Sequence, residues 1–153
     1  MSSEAHAAQD AATRVIESAE RSQALFGAKA VAISQLRALA AECATQDWDG
    51  NDAAPISPIA VFVAETFVRA LPDGLPMPEF SAEPDGAVSL DWIQSRNRLF
   101  SLSAGTSNRL AYAWIDGTDR GHAVAGFDGE HIPQRIVEGI LAITNHAPAA
   151  IGA

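Results

Sequence analysis

Residues 46–52, read QDWDGND, concentrate side-chain oxygens around one glycine and raise the question of a metal site. A calcium loop of the helix-loop-helix kind needs oxygen ligands at its first, third and fifth positions, glycine at the sixth and a bidentate glutamate at the twelfth. Asp47, Asp49 and Asn51 match the first three ligands. Asp52 stands at the sixth position, however, and Pro58 at the twelfth. The pattern fails where a calcium loop is strictest, so we expect no metal and no other cofactor.

A helix end explains the same stretch better than a ligand site does. Asp and Asn side chains accept hydrogen bonds from nearby backbone N–H groups, and Gly50 supplies a left-handed residue beyond a helix. Trp48, among polar neighbours, is expected to pack the loop against the core, with its indole N–H on a backbone carbonyl. We therefore predict structural anchors at Trp48, Gly50, Trp92 and Trp114.

Catalytic chemistry has few candidates in the rest of the chain. If the protein is an enzyme or binds a small ligand, the residues to test first are Asp91, Arg98 and His122, framing a polar groove on a sheet face. Asp119 beside His122 offers an oriented base. The chain has no glycine-rich phosphate loop, no nucleophile elbow and no His and Cys pairs at metal-ligand spacing. No catalytic residue is assigned, and an enzyme is the less favoured interpretation.

The pattern of apolar residues predicts the elements that would position these side chains. Residues 8–45 contain no proline and favour helix, and Ser57 followed by Pro58 is a helix start signal. From residue 77 to 125 apolar residues alternate, with turn residues at short intervals, as in an antiparallel meander. An apolar stripe returns over residues 133–146. The sequence predicts an α+β fold: N-terminal helices, a four- to five-stranded antiparallel meander, and a C-terminal helix packed on one sheet face.

Chain length and composition favour a single folded domain. With 153 residues, the chain can bury a sizeable core without disulfides. We expect a peripheral, alanine-rich helical leader at residues 1–27, a single α+β domain at 28–146 and a frayed tail at 147–153.

The charge balance restricts the kind of partner. The formal net charge is −9, which repels phosphate backbones and anionic lipid head groups. We therefore expect no nucleic acid and no membrane, and favour a basic protein partner. The lone Cys43 cannot form an internal disulfide, and the first residues lack the basic start and apolar run of a secretion signal. These features predict a cytoplasmic protein.

Three ordered blocks carry a resemblance: WDG at 48–50, PISP at 55–58 and EPDGAVSLDW at 83–92. In this order they resemble a group of small, uncharacterised bacterial hypothetical proteins, over roughly residues 47–130. The resemblance implies no activity, cofactor or catalytic residue for this chain.

Two hypotheses for function follow. The leading one is a non-catalytic, acidic protein-interaction domain that binds a basic protein, of the antitoxin, immunity or accessory-subunit kind. The alternative is a small enzyme or ligand-binding domain that uses the polar sheet face around Asp91, Arg98 and His122. A homo-oligomer formed through the leader or an exposed sheet edge is compatible with both.

Overall fold

The computed structural model of the chain describes residues 27–144, together with residues 12 and 14. The helices are α1 at residues 27–42, α2 at Pro58–Ala70 and α3 at Gln134–Thr144, and the strands are β1 at Glu79–Ala82, β2 at Val88–Ser95, β3 at Arg98–Ala104, β4 at Arg109–Asp116 and β5 at Asp119–Gly126. The predicted α+β class is confirmed. The predicted tail at 147–153 lies outside the described residues, as does the predicted leader at 1–27 except for residues 12, 14 and 27.

The five strands form one antiparallel sheet in the order β1-β2-β3-β4-β5, so each strand pairs with the next along the chain. The register places Leu90 opposite Leu102, and Leu102 opposite Tyr112. These alternate residues are buried under α2 and α3, and we call their side of the sheet the inner face. Intervening residues such as Ser101 point to the opposite side, the outer face, because side chains alternate along a strand.

Aromatic rings link the inner face to the helices. On the sheet, Trp92, Phe100 and Tyr112 follow one another across β2, β3 and β4, with ring centroids 5.9 Å and 5.6 Å apart. Phe67 of α2 packs edge-on against Trp92 at 6.3 Å and against Phe127, after β5, at 5.8 Å. Such pairs each add about 0.5–1.5 kcal/mol beyond the area they bury. The rings therefore hold α2 to the centre of the sheet.

The ends of α2 are held by specific hydrogen bonds. At its start, the Ser57 hydroxyl accepts a hydrogen bond from the Ala60 N–H at 3.3 Å, with proline in the first turn. At its end, Lys29 of α1 donates to the carbonyls of Arg69 and Leu71 at 2.9 and 2.8 Å. Carbonyls at a helix C-terminus lack partners within the helix, so a cation there stabilises both helices together. Among the described residues, no helix is long and apolar enough to cross a membrane.

Arg98 holds the C-terminal end of α3 against the sheet. Its guanidinium donates hydrogen bonds to the carbonyls of Ala142 and Ile143, both at 2.9 Å, while its Nε lies 3.3 Å from an Asp116 carboxylate oxygen. The guanidinium thus connects two strands with the last turn of a helix.

Two of the sequence blocks that carry the resemblance, PISP at 55–58 and EPDGAVSLDW at 83–92, meet in space. Ala54 donates its backbone N–H to the Pro84 carbonyl, and Ser57 donates to the Gly86 carbonyl, both at 2.8 Å. The loop between α1 and α2 therefore pairs with the β1–β2 turn, and we call this contact the loop–turn clamp. Gly86 has φ +94°, and a Cβ there would lie 3.0 Å from the Pro55 carbonyl oxygen. A side chain at this position would strain its own backbone and press on the clamp.

Gly86→Ala is expected to lower the free energy of unfolding more than Gly74→Ala does. Gly74 has a similar φ of +92°, but a Cβ there would meet nothing within 4 Å, so its alanine variant measures the backbone strain alone, about 1 kcal/mol. Gly86→Ala adds the contact with Pro55, for a total of about 2–3 kcal/mol. Urea unfolding of both variants measures the difference. Equal decreases in the free energy of unfolding would mean that the loop–turn clamp shifts to accommodate the Cβ at no cost.

Candidate functional site

The polar loop at 46–52 uses its side-chain oxygens on its own backbone. One carboxylate oxygen of Asp49 accepts hydrogen bonds from the N–H groups of Asn51 and Ala53, at 2.8 and 3.0 Å. A carboxylate oxygen of Asp47 accepts from the Asp52 N–H at 2.6 Å. Within the part of the chain that the structure describes, no group of three or more His, Cys, Asp or Glu residues could hold a metal ion.

The backbone of this loop explains its residue types. Asp47 and Asp52 both have φ 64° and Gly50 has φ 75°, a left-handed conformation that Asp and Gly tolerate better than most residues. Trp48 is half-buried against the core rather than fully inside it, and its indole N–H donates to the Ala54 carbonyl at 2.8 Å. The helix before the loop ends at residue 42, earlier than the predicted end near residue 45, and the Cys43 carbonyl accepts a hydrogen bond from the Ile56 N–H at 2.9 Å.

The other predicted anchors lie at different depths. Trp92 is 3 % exposed and donates its indole N–H to the Pro76 carbonyl at 2.9 Å. Trp114 is only partly buried, and it packs beside Tyr112 with a centroid distance of 6.1 Å. A tryptophan that ends an aromatic row and keeps part of its ring accessible is available for contact with a ligand.

The candidate catalytic residues do not meet. Asp91 and His122 are on the outer face, in one row that runs through Ser101 and Ala113. Three strand spacings separate them, which is about 14 Å. Arg98 is on the inner face, under α3. The three side chains therefore share no pocket and form no catalytic arrangement.

The suggested base formed by Asp119 and His122 also separates. Asp119 is paired with Asp116 on the inner face, whereas His122 is paired with Ala113 on the outer face. Residues three apart on a strand point to opposite sides of the sheet. A different histidine has a carboxylate partner: His131 Nδ1 lies 3.2 Å from Asp128, with both side chains well exposed.

The outer-face serines donate hydrogen bonds to the carboxylates of Asp91 and Glu83. The hydroxyls of Ser89 and Ser101 both donate to one oxygen of Asp91, at 2.8 and 2.5 Å, and Ser103 donates to Glu83 at 2.6 Å. These bonds keep the two carboxylates oriented on a polar surface.

Cys43 has the environment of a structural thiol. It is 6 % exposed, and burial, followed by the neighbouring charge of Glu42, raises its pKa. A raised pKa lowers the thiolate fraction and hence the reactivity of the thiol.

One concave site of the described chain is a cleft between α3 and β4. It encloses about 310 Å³, near the lower end of the range for ligand pockets. We call it the α3–β4 cleft; its lining residues are Phe100, Tyr112, Trp114, Asp116, Asp119, Arg135, Glu138, Gly139, Ala142 and Ile143. Aromatic rings form one part of the lining and charged side chains another.

Two glycines shape this cleft. A Cβ at Gly121 would lie 2.5 Å from the Trp114 ring, so the indole lies directly against the β5 backbone. A Cβ at Gly139 would lie 2.5 Å from Phe100, so α3 approaches β3 at that residue. The inner face of β5 continues with Ala123, which offers little bulk beside the large rings of β4. α3 contacts β2, β3 and β4, and the space beside Trp114 remains open.

The charges of the cleft are net negative. Asp116 is paired with Arg98, while Asp119 and Glu138 form no ion pair within the described chain. Arg135 offsets part of their charge. A cation entering the cleft would meet carboxylates and aromatic faces together, which is a favourable combination for ammonium and guanidinium groups.

The cleft is not among the sites predicted from the sequence. Its residues come from four separate elements, and two of its carboxylates lie in segments that sequence patterns assign to turns and exposed helix faces. One feature of the sequence could have indicated the cleft, namely the difference in side-chain size between two neighbouring strands. On the inner face β4 carries Leu110, Tyr112 and Trp114, whereas β5 carries only Gly121 and Ala123 beside them.

Asp49→Ala is expected to lower the free energy of unfolding by about 1–2 kcal/mol, because two backbone N–H groups lose their acceptor. Asp47→Asn should change it by less than about 0.5 kcal/mol, because the amide oxygen can still accept and Asn tolerates positive φ. Thermal unfolding with and without calcium provides the measurement. A rise in the melting temperature with calcium that disappears in Asp47→Asn would contradict a purely structural loop.

Asp128 is expected to titrate well below a free aspartate. Backbone N–H donation from His131, then from Glu130, lowers its pKa from 3.8 to about 2. Because the folded-state pKa is the lower one, this stabilisation is complete above about pH 4 and is lost as the pH falls toward 2. Carboxyl ¹³C NMR measures the pKa directly. In His131→Ala the backbone donors remain, so most of the depression should persist; a return to 3.8 would show that the imidazole is the main cause.

Comparison with known proteins gives no relative on which to base a function: no family model, curated protein or solved structure matches the chain. Function depends on the chemistry of a site rather than on the fold class. The α3–β4 cleft is the described site whose residues define a ligand chemistry most clearly, namely that of an organic cation.

Proposed function

We propose that this chain is a non-catalytic, acidic protein-interaction domain that binds a basic protein by taking a cationic side chain into the α3–β4 cleft. The main observation behind this proposal is that one cleft contains the rings of Trp114 and Tyr112 together with the carboxylates of Asp119 and Glu138. The rings attract a cation through their faces, and the carboxylates add charge and hydrogen-bond acceptors.

The overall charge supports the same kind of partner. A net charge of −9 attracts a basic surface from a distance and raises its rate of association. Long-range attraction alone is not selective, however, whereas the cleft has a size that suits one side chain rather than a whole helix. We therefore assign the recognition of a single arginine or lysine to the cleft and the steering to the surface charge.

The class of protein follows from this mode of binding. An acidic domain that neutralises a basic protein fits an antitoxin, an immunity protein or an accessory subunit. The buried, unreactive Cys43 fits a reducing compartment, so we place this function in the cytoplasm. The enzyme alternative has less support, because Arg98 lies on the opposite sheet face from Asp91 and His122.

A short peptide with one central arginine flanked by glycines should bind the cleft, and the same peptide with citrulline should not. Citrulline keeps the shape of arginine but has no charge, so the pair isolates the cation. We expect the arginine peptide to shift the NMR signals of the Trp114 indole and the Gly139 amide, which both line the cleft. Equal shifts with the citrulline peptide would overturn the proposal.

Single-charge variants test which carboxylates act. Glu138→Gln and Asp119→Asn should each weaken the arginine peptide by about tenfold, equivalent to about 1.4 kcal/mol. Glu42→Gln removes the same charge from exposed α1 and should change affinity by less than about twofold. If Glu42→Gln weakens binding as much as Glu138→Gln does, the attraction belongs to the surface as a whole and not to the cleft.

A further inference from the structure

The outer face of the sheet is uncovered in the described part of the chain. α2 and α3 contact the strands from the inner side, where the aromatic rings are buried. On the outer side, Ile93 is 54 % exposed and Val124 is 57 % exposed. In the register, Ile93 is followed across the sheet by Leu99 and Ile115, which form an apolar row over three strands. Ile93 is exposed and Leu99 and Ile115 are partly exposed, so the row offers apolar surface of the kind that interfaces use.

The middle of this face is made of small side chains. Ser101 and Ser103 of β3 are opposite Ala113 and Ala111 of β4. Small residues produce a flat surface that a second sheet can approach to the usual packing distance of about 10 Å. A flat β surface therefore fits another flat β surface better than it fits a helix.

The charges on this face are separated by sign. The acidic side chains are on or beside β1 and β2, and the basic ones are on β4 and β5: Glu79, Glu83 and Asp91 against Arg109, Arg120 and His122. Within the described register, neither half carries an outward residue of the opposite sign. Glu83 and Asp91 are held in place by serine hydroxyls. The sign therefore changes across the face, at the central strand β3.

This charge pattern is complementary to itself. Consider two copies whose outer faces meet, related by a twofold axis that runs parallel to the strands between the two sheets. This axis reverses the strand order of the second copy, so its β5 lies over β1 of the first. Glu79 then faces His122 of the other copy, with Arg120 two residues farther along the same strand, and Ile93 faces Ile115. A uniformly basic partner would be attracted by one half of the face and repelled by the other.

We propose that the outer sheet face is the interface through which two copies of this chain form a face-to-face, twofold dimer. Five strands of about seven residues present roughly 500 Å² per copy, or about 1,000 Å² in total. That area is at the lower limit for a specific interface, so the dimer is reversible and its population depends on concentration. The α3–β4 cleft is on the other side of the sheet, and both copies keep it open.

Sedimentation velocity of the full chain over a range of concentrations tests the dimer. We expect a reversible shift toward twice the 16.0 kDa chain mass as the concentration rises, weakened by added salt. Ala111→Arg places a bulky charge on the flat centre and should leave the chain monomeric. A chain that stays monomeric throughout the range would overturn the proposal. This holds whether the outer face is then left uncovered or is covered by another part of the same chain.

Charge reversal tests the twofold geometry. Glu79→Arg and Arg120→Glu should each raise the dimer dissociation constant by about tenfold, because each brings like charges to within about 7 Å of one another along facing strands, twice in the dimer. An equimolar mixture of the two variants should dimerise again, since both contacts then join opposite charges. Failure of the mixture to dimerise would exclude this arrangement, as would a persistent dimer of Glu79→Arg.

Matched controls separate the face from general charge effects. Glu42→Arg at the end of α1 and Arg69→Glu at the end of α2 make the same charge changes at exposed residues of the helices, away from the outer face. Both should dimerise as the unmodified chain does, with circular dichroism confirming that every variant is folded. Equal loss in the controls would show that net charge, and not the outer face, sets the association.

Discussion

The row of aromatic rings on the inner face sets the spacing on which the rest of the structure depends. Trp92, Phe100 and Tyr112 lie on three successive strands, and Phe67 extends the contacts to α2. The edge-on contacts of Phe67 hold α2 against the central strands. β5 carries Gly121 and Ala123 on the same face, and the resulting difference in bulk leaves the α3–β4 cleft open beside Trp114.

Alternation along the strands gives the two faces of the sheet different chemistry. The inner face holds the core and, at its margin, a cleft with aromatic rings and carboxylates. The outer face holds serines, alanines and charges that change sign from β1 to β5. A single sheet can therefore present two independent binding surfaces, one concave and suited to a side chain, the other flat and suited to a second sheet.

Local contacts connect segments that are distant in the sequence. The loop–turn clamp joins the α1–α2 loop to the β1–β2 turn, and it requires Gly86 because a side chain would approach the Pro55 carbonyl. Lys29 and Arg98 each satisfy the free carbonyls at a helix C-terminus from another element. These contacts explain the residue types at Gly86, Lys29 and Arg98, which the alternation of apolar and polar residues does not explain.

The sequence by itself determined the class of fold, the meander and the start of α2, because strand alternation, turn residues and the Ser57 cap act over a few neighbouring residues. It also favoured a helix end over a calcium loop at 46–52, since ligand spacing is a local property. Only the tertiary structure brought the C-terminal end of α3 to Arg98 and formed a cleft from Trp114, Asp119 and Glu138. Those arrangements depend on register and on the packing of α3, which arise from contacts between residues far apart in the chain.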